Sequence, residues 1–177
     1  MQVHTSGTGT YRHSFTVSLA GVGYQFVRGF AWADLTAGDI AFRFVTTHLE
    51  SQSADLALAQ AGELLDGPAG RSTSPVLVAC DCNAAPGSAA YALLTERGRL
   101  TDVGPPEPTG TLGAAVNEPT AAALDSRLDL VLTRSTLLHR VQVRRAVRTG
   151  VDADSRDPGT GLWPSDHAGV AVTLRIG

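Results

Sequence analysis

Four times in this 177-residue sequence, an extended apolar run ends in, or carries, a side chain suited to acid–base or metal chemistry. The places are His48 in FVTTHLES, Asp81 and Asn83 in VLVACDCNAAPGS, Asp129 in SRLDLVL, and Asp166 with His167 in WPSDH. Taken singly each is ordinary, since an Asp after a strand is commonly a turn or helix cap and a lone His there is commonly a satisfied surface or core residue. Taken together they lead to the expectation that these groups converge on a single pocket at one edge of the β core. Asp129 carries the most weight. Between Leu128 and Leu130, in an otherwise apolar strand, its carboxylate needs a partner, and an imidazole is a natural one.

The rest of the chain reads in the same terms. Three extended segments, RHSFTVSLAG, YQFVRGFAWADLT and DIAFRFVTTHL, run from residue 12 to 49 with glycine breaks at Gly21 to Gly23 and at Gly38. In the third, Ile40, Phe42 and Phe44 alternate with Ala41, Arg43 and Val45, the pattern of a half-buried strand. SADLALAQAGELLDGP is a helix: Ser53 caps it, Asp55 suits its positive end, Leu56, Gln60, Glu63 and Leu64 follow helical spacing, and Gly67-Pro68 stops it. PVLVAC, 75–80, is a continuous apolar run expected to be covered on both sides. A second helix is expected from Ser88 to Arg97, closed by Gly98. The Gly-, Pro- and Thr-rich stretch 104–119 reads as a long loop of functional or mobile character. Strands follow over 126–133, 139–147 and 168–174, the last entered through Pro164, which biases its neighbours toward extended backbone. There, Asp166 and His167 should point to opposite sides.

Composition narrows the function classes. A hydrophobic content of 43% suffices for a core, and no internal repeat or linker divides the chain, so 1–177 reads as one domain. The net charge of -3 gives no general attraction to polyanions, so a nucleic-acid role would need local basic patches. RVQVRRAVR offers Arg140, Arg144, Arg145 and Arg148, though a solvated strand face explains them more simply. There is no membrane-spanning apolar run and no export signal, which implies the cytoplasm by default and secretion if a longer precursor exists. Cys80 and Cys82, one residue apart on a strand, are expected to point into the core as small apolar residues without bonding each other; a zinc site of this pair with a histidine matches no standard spacing.

The order THL, DCN with its small-residue loop, RLD, then SDH before the last strand resembles the endonuclease/exonuclease/phosphatase superfamily, from about Arg28 to the C-terminus. The resemblance implies an α/β fold, α+β by layers: a β-sandwich flanked by helices. By it, His48 contacts the substrate phosphate and helps protonate the leaving oxygen, while Asp81 positions or deprotonates the attacking water. Asn83 holds the phosphate and metal shell, and Asp166 is a magnesium-side carboxylate. His167 stabilises the transition state, oriented by Asp129. The implied metal ligands are thus Asp81, Asn83 and Asp166, the implied cofactor Mg2+ or Mn2+, and the implied partner a phosphate ester: a small molecule, a lipid head group or a nucleic acid.

The resemblance also has gaps. The family supplies an asparagine on its first strand and a glutamate as a principal metal ligand, yet no Glu precedes Glu50 here. The chain therefore reads as the C-terminal half, or somewhat more, of a four-layer domain, incomplete and exposing sheet that its remainder would cover. A truncation, a misplaced start or a second chain would account for the missing segment. The expected function is a metal-dependent phosphoesterase of doubtful activity alone. The alternatives are an endonuclease and a non-catalytic phosphate- or protein-binding remnant.

Overall fold

A computed structural model describes residues 1–110, 117 and 124–177. The strand-like runs assemble into a six-stranded mixed sheet of order β1-β4-β5-β6-β8-β7. Its members are β1 (Gln2–Thr10), β4 (Gly29–Ala37), β5 (Ile40–His48), β6 (Val76–Asp81), β7 (Thr101–Asp102) and β8 (Asp129–Arg134). Only β5 and β6 run parallel, since helix α1 (Ala54–Asp66) carries the chain back between them; every other pairing is antiparallel.

Sequence reading started the strands after Tyr11, and the structure adds β1, which pairs with β4 along its length. The expected segment YQFVRGFAWADLT is two strands. Its first part completes a hairpin, β2 (Phe15–Leu19) with β3 (Val22–Phe26), and its second part is β4; Val27 and Arg28 form the break. The hairpin turn uses Ala20 and Gly21, both at positive φ, the backbone that matches strand twist in a two-residue connection.

Helix α1 forms as its pattern dictates, with the Leu56 N–H donating to Ser53 Oγ at 3.3 Å. It buries Ala57, Gln60, Ala61, Leu64 and Leu65 against one face of the sheet, where Val45, Val76, Val78, Leu130 and Leu132 also lie. The second helix, α2 (Ala89–Ala92), runs into a wider π turn over Leu93–Arg97 and packs with α1.

The opposite sheet face meets a two-stranded sheet, β9 (Val141–Thr149) with β10 (Gly169–Ile176). Every second residue of β10, from Val170 to Ile176, is half-buried, and Leu174 and Ile176 share a cleft of about 270 Å³ with Phe42 and Leu77. Among the described residues these two strands are all of the second layer, so the sandwich is partial. This corrects the expectation for PVLVAC: Val76, Val78 and Cys80 are buried on the helix side, while Leu77, Ala79 and Asp81 are only half-buried on the other. Likewise in β5, Val45 is buried while Phe44 stays 37% exposed. Of the loop expected over 104–119, positions 111–116, 118 and 119 lie outside the described residues.

Candidate active site

Strand register places three of the expected residues side by side. His48 ends β5 and pairs with Asp81, which ends β6; Asp81 in turn pairs with Asp129. Asp129 opens β8 and does not lie inside it, so its carboxylate is half-buried at the sheet's edge. In-register neighbours share a face. Here that face is the one opposite α1, toward the start of β10. His48 Nε2 lies 3.2 Å from Asp81 Oδ2.

Beyond β6 the chain turns through Asn83 at positive φ, which asparagine tolerates better than most residues. Its backbone N–H donates to Asp81 Oδ1 at 3.3 Å, and its Nδ2 donates to the Leu49 carbonyl at 2.9 Å. The amide oxygen is thereby oriented by the loop that follows His48. From the other side of the sandwich, the loop before β10 brings His167, whose Nδ1 meets Asp129 Oδ2 at 2.8 Å. Asp166 lines the same cavity as His48, Asp81, Asn83 and His167, a pocket of about 230 Å³. The two adjacent residues were expected to face opposite sides; both border this one pocket.

Three contributors escaped sequence reading as site residues. Thr109, fully buried, accepts from the backbone N–H groups of Leu128 and Asp129 through Oγ1, and its carbonyl accepts from the Ala168 N–H at 2.7 Å. It ties β8 to the His167 loop. Gly110 underlies the imidazole so closely that a Cβ there would lie 2.8 Å from His167 Cε1. The Gly/Pro/Thr character of this loop signalled function only in general terms. Arg28, in the break between β3 and β4, is held by the Tyr11 N–H on its carbonyl, and its Nη1 lies 3.1 Å from His48 Nδ1. No local motif marks it.

Because a guanidinium only donates, His48 Nδ1 must accept, which leaves the ring proton on Nε2, facing Asp81. Behind Arg28 stands the buried Glu50, with its Oε2 3.8 Å from Arg28 Nε and its Oε1 accepting from the Ser51 and Gln52 N–H groups. Burial lowers the pKa of His48; Asp81 opposes that and the Arg28 charge reinforces it. Burial raises the pKa of Asp81, opposed by His48 and reinforced by Asp129. For His167, burial disfavours the charged ring, but the Asp129 hydrogen bond and the charges of Asp129, Asp81 and Asp166 outweigh it, so its pKa is raised. The two imidazoles of one pocket are thus pushed in opposite directions.

Asp81, Asp129 and His167 each offer a ligand atom within 4.8 Å of the others. The Asp129–His167 bond occupies one carboxylate oxygen and one ring nitrogen, which leaves the other oxygen of Asp129 and the other nitrogen of His167 as the atoms this trio could offer a cation. Asp81, Asn83 and Asp166 line the cavity together, and carboxylate and amide oxygens are a donor set that suits a hard divalent cation.

Asp81 is bracketed by a disulfide. Cys80 and Cys82, expected to be separate thiols, are bonded to each other, with their Cα atoms 5.0 Å apart, inside the usual disulfide range. The strand ends at Asp81, and the turn that follows swings Cys82 back toward Cys80, which a continuing strand would not do. Both are buried, as expected, and the zinc alternative fails because neither sulfur is a free thiolate.

Helices on one face of a mixed sheet, with paired acid and imidazole groups at its strand ends, define an α/β protein equipped for acid–base chemistry at a sheet edge. The chain belongs to the Endonuclease/Exonuclease/phosphatase family, which its sequence matches over residues 9–167. No curated protein matches the sequence. Among solved structures, the endonuclease/exonuclease/phosphatase of Bacteroides vulgatus shares 19% identity at a TM-score of 0.67, covering 99% of this chain and 66% of its own. The mannosyl-6-phosphatase of Bacteroides thetaiotaomicron VPI-5482 shares 18% at 0.63, covering 98% and 67%. TDP2 of D. rerio, complexed with a single-strand DNA product, shares 18% at 0.63, covering 95% and 68%. At these identities the likeness is one of fold. The chain spans 65% of the length of another Bacteroides thetaiotaomicron family member it resembles. No helix among the described residues is long and apolar enough to cross a membrane.

Proposed function

We propose that this chain carries the catalytic groups of a metal-dependent phosphoesterase, which hydrolyses a phosphodiester or phosphomonoester with an activated water. The observation that carries this reading is the row His48–Asp81–Asp129, closed by His167 on Asp129, around the cavity that Asn83 and Asp166 also line. Hydrolysis of a phosphate ester needs charge neutralised on the non-bridging oxygens and a water aligned opposite the leaving group. A magnesium or manganese ion held by Asp81, Asn83 and Asp166 would supply the first and acidify a water.

The protein's own groups divide the remaining work. His167, its Nδ1 engaged by Asp129, keeps a proton and turns its other nitrogen to the substrate, where charge develops. Asp81 holds the attacking water and accepts its proton, its carboxylate kept in place by His48 Nε2 and the Asn83 N–H. Asn83 contacts phosphate oxygen. For His48 the family role combines phosphate contact with proton donation, and its lowered pKa supports contact over donation. Arg28, on His48 Nδ1, brings a fixed positive charge to the same cavity.

The test is hydrolysis of bis-p-nitrophenyl phosphate with magnesium, by this chain and by a longer chain that includes any upstream in-frame segment, each with and without His167→Ala. Metal-dependent turnover lost in the variant supports the phosphoesterase. Absence of turnover in both lengths favours a binding remnant. The same assay with single-stranded DNA separates an endonuclease, for which the exposed Arg140, Arg144 and Arg145 offer a basic strand.

A further inference from the structure

A second cavity adjoins the candidate active site. It encloses about 320 Å³ between the β2–β3 hairpin and the turn after Leu49, with an apolar end made by Phe15, Val17 and Phe26. Its polar end includes Arg28, Ser51 and Gln52, three residues that also line the candidate active-site pocket. A ligand whose charged end sits beside His48 and His167 can therefore extend into this space past Arg28 without leaving the protein surface.

The hairpin explains the apolar end. Phe15 and Phe26 are cross-strand partners with ring centroids 6.0 Å apart, and Val17 follows on the same face, paired with Tyr24. Phe26 and Tyr24 are nonetheless about half exposed, at 52% and 50%. Large aromatic side chains clustered beside a polar cleft are a recognised mark of ligand binding. Charge selects among ligands. Glu50 lies buried in the cavity wall with its Oε2 3.8 Å from Arg28 Nε, so the Arg28 charge is already answered by a carboxylate and does little to draw a second anionic group into this space. An apolar protein cavity of roughly 150 Å³ already accepts benzene, so an aromatic ring fits with room to spare.

We infer that this cavity is a subsite for an uncharged aromatic ring carried by the phosphate ester, so that the preferred substrates are aryl or nucleoside phosphates over alkyl ones. The inference rests on the phosphoesterase reading of the adjacent pocket. Edge and face contacts with Phe15 and Phe26, and stacking against the Arg28 guanidinium, are the interactions that favour an aromatic ring over an alkyl group of equal area.

Binding without turnover tests it. Calorimetry with magnesium would compare methylphosphonate, hexylphosphonate, phenylphosphonate and thymidine 5′-monophosphate on the wild-type chain, Val17→Arg and Phe26→Ala. Phenylphosphonate should bind about tenfold more tightly than methylphosphonate, and both substitutions should erase that gain while methylphosphonate affinity stays the same. An equal gain for thymidine monophosphate, lost in the same variants, identifies the ring as a nucleobase; a gain for phenyl alone identifies a simple aryl group. Equal affinity for methyl- and phenylphosphonate, a hexyl gain matching the phenyl gain, or a phenyl gain that survives both substitutions overturns the inference. If none of the four ligands binds, the phosphate site itself fails, and the inference falls with it.

Discussion

Asp129 and His167, 38 positions apart, meet through a 2.8 Å hydrogen bond from one ring nitrogen to one carboxylate oxygen. The bond joins the two layers of the fold, because Asp129 opens β8 in the main sheet while His167 precedes β10 in the smaller one. It also raises the proton affinity of the imidazole and settles which nitrogen faces the cavity.

Replacing Asp129 with Asn keeps the shape and removes the charge. The expected result is a fall in phosphodiester turnover of about 10²–10⁴-fold, the range seen when a buried carboxylate partner of a catalytic imidazole is neutralised. The His167 pKa should fall at the same time, which an NMR titration of its ring protons would report. An unchanged His167 titration would show that Asp129 does not set its charge.

Gly110→Ala probes the floor beneath the ring. A Cβ at 2.8 Å from His167 Cε1 forces the imidazole aside, so turnover should drop at least tenfold while the melting temperature shifts by only a few degrees. The diagnostic is a changed His167 ring chemical shift in an otherwise native spectrum. Full activity in the folded variant would show that the ring tolerates displacement.

The dependence on pH follows from two raised pKa values. In its proposed role Asp81 must be ionised to accept a proton; burial raises its pKa in the metal-free protein, so its carboxyl should titrate above the ordinary range there, and a divalent cation on the same carboxylate should move the acid limb of kcat/KM down. In the role proposed for it His167 must be charged, and because its pKa is raised, activity should persist above the usual histidine range and fall as pH rises through the elevated value. In stability terms the Asp129–His167 bond contributes fully below the unfolded-state histidine pKa and is lost as pH climbs through the folded one. Asp129→Asn should therefore move the alkaline limb to lower pH, and, because the Asp129 charge also raises the pKa of Asp81, it should lower the acid limb as well; an alkaline limb that stays in place would contradict these assignments.

The Cys80–Cys82 bond closes so short a loop that its entropic contribution should be small, roughly 1–2 kcal/mol. The unfolded, unreduced chain should show no free thiol to a thiol reagent, and reduction should lower the melting temperature by a few degrees. Two reactive thiols before reduction would contradict the pairing.

Much of the fold was legible because it depends on local periodicity. The helix from Ala54 follows from its Ser53 cap and its spacing, and β5, β6 and β10 follow from their apolar alternation or continuity. β1 was missed because its residues are mostly polar, small and exposed; it exists by virtue of its partner β4. The cysteine pairing was missed because strand geometry was extended one residue beyond the strand's true end at Asp81.

The amino-acid sequence by itself determined which chemistry is present: four polar clusters at the ends of apolar runs, in an order that resembles one family, with no glutamate before Glu50. Those features are readable because residue identity and spacing along a strand or helix are local. Only the tertiary structure decided that His48, Asp81 and Asp129 stand in one row, that Arg28 fixes the tautomer of His48, that Thr109 and Gly110 seat His167, and that an aromatic-walled cavity opens beside them. Each of these depends on strand order and register, which are set by how apolar faces are shared between distant segments, and no short stretch of the chain encodes that choice.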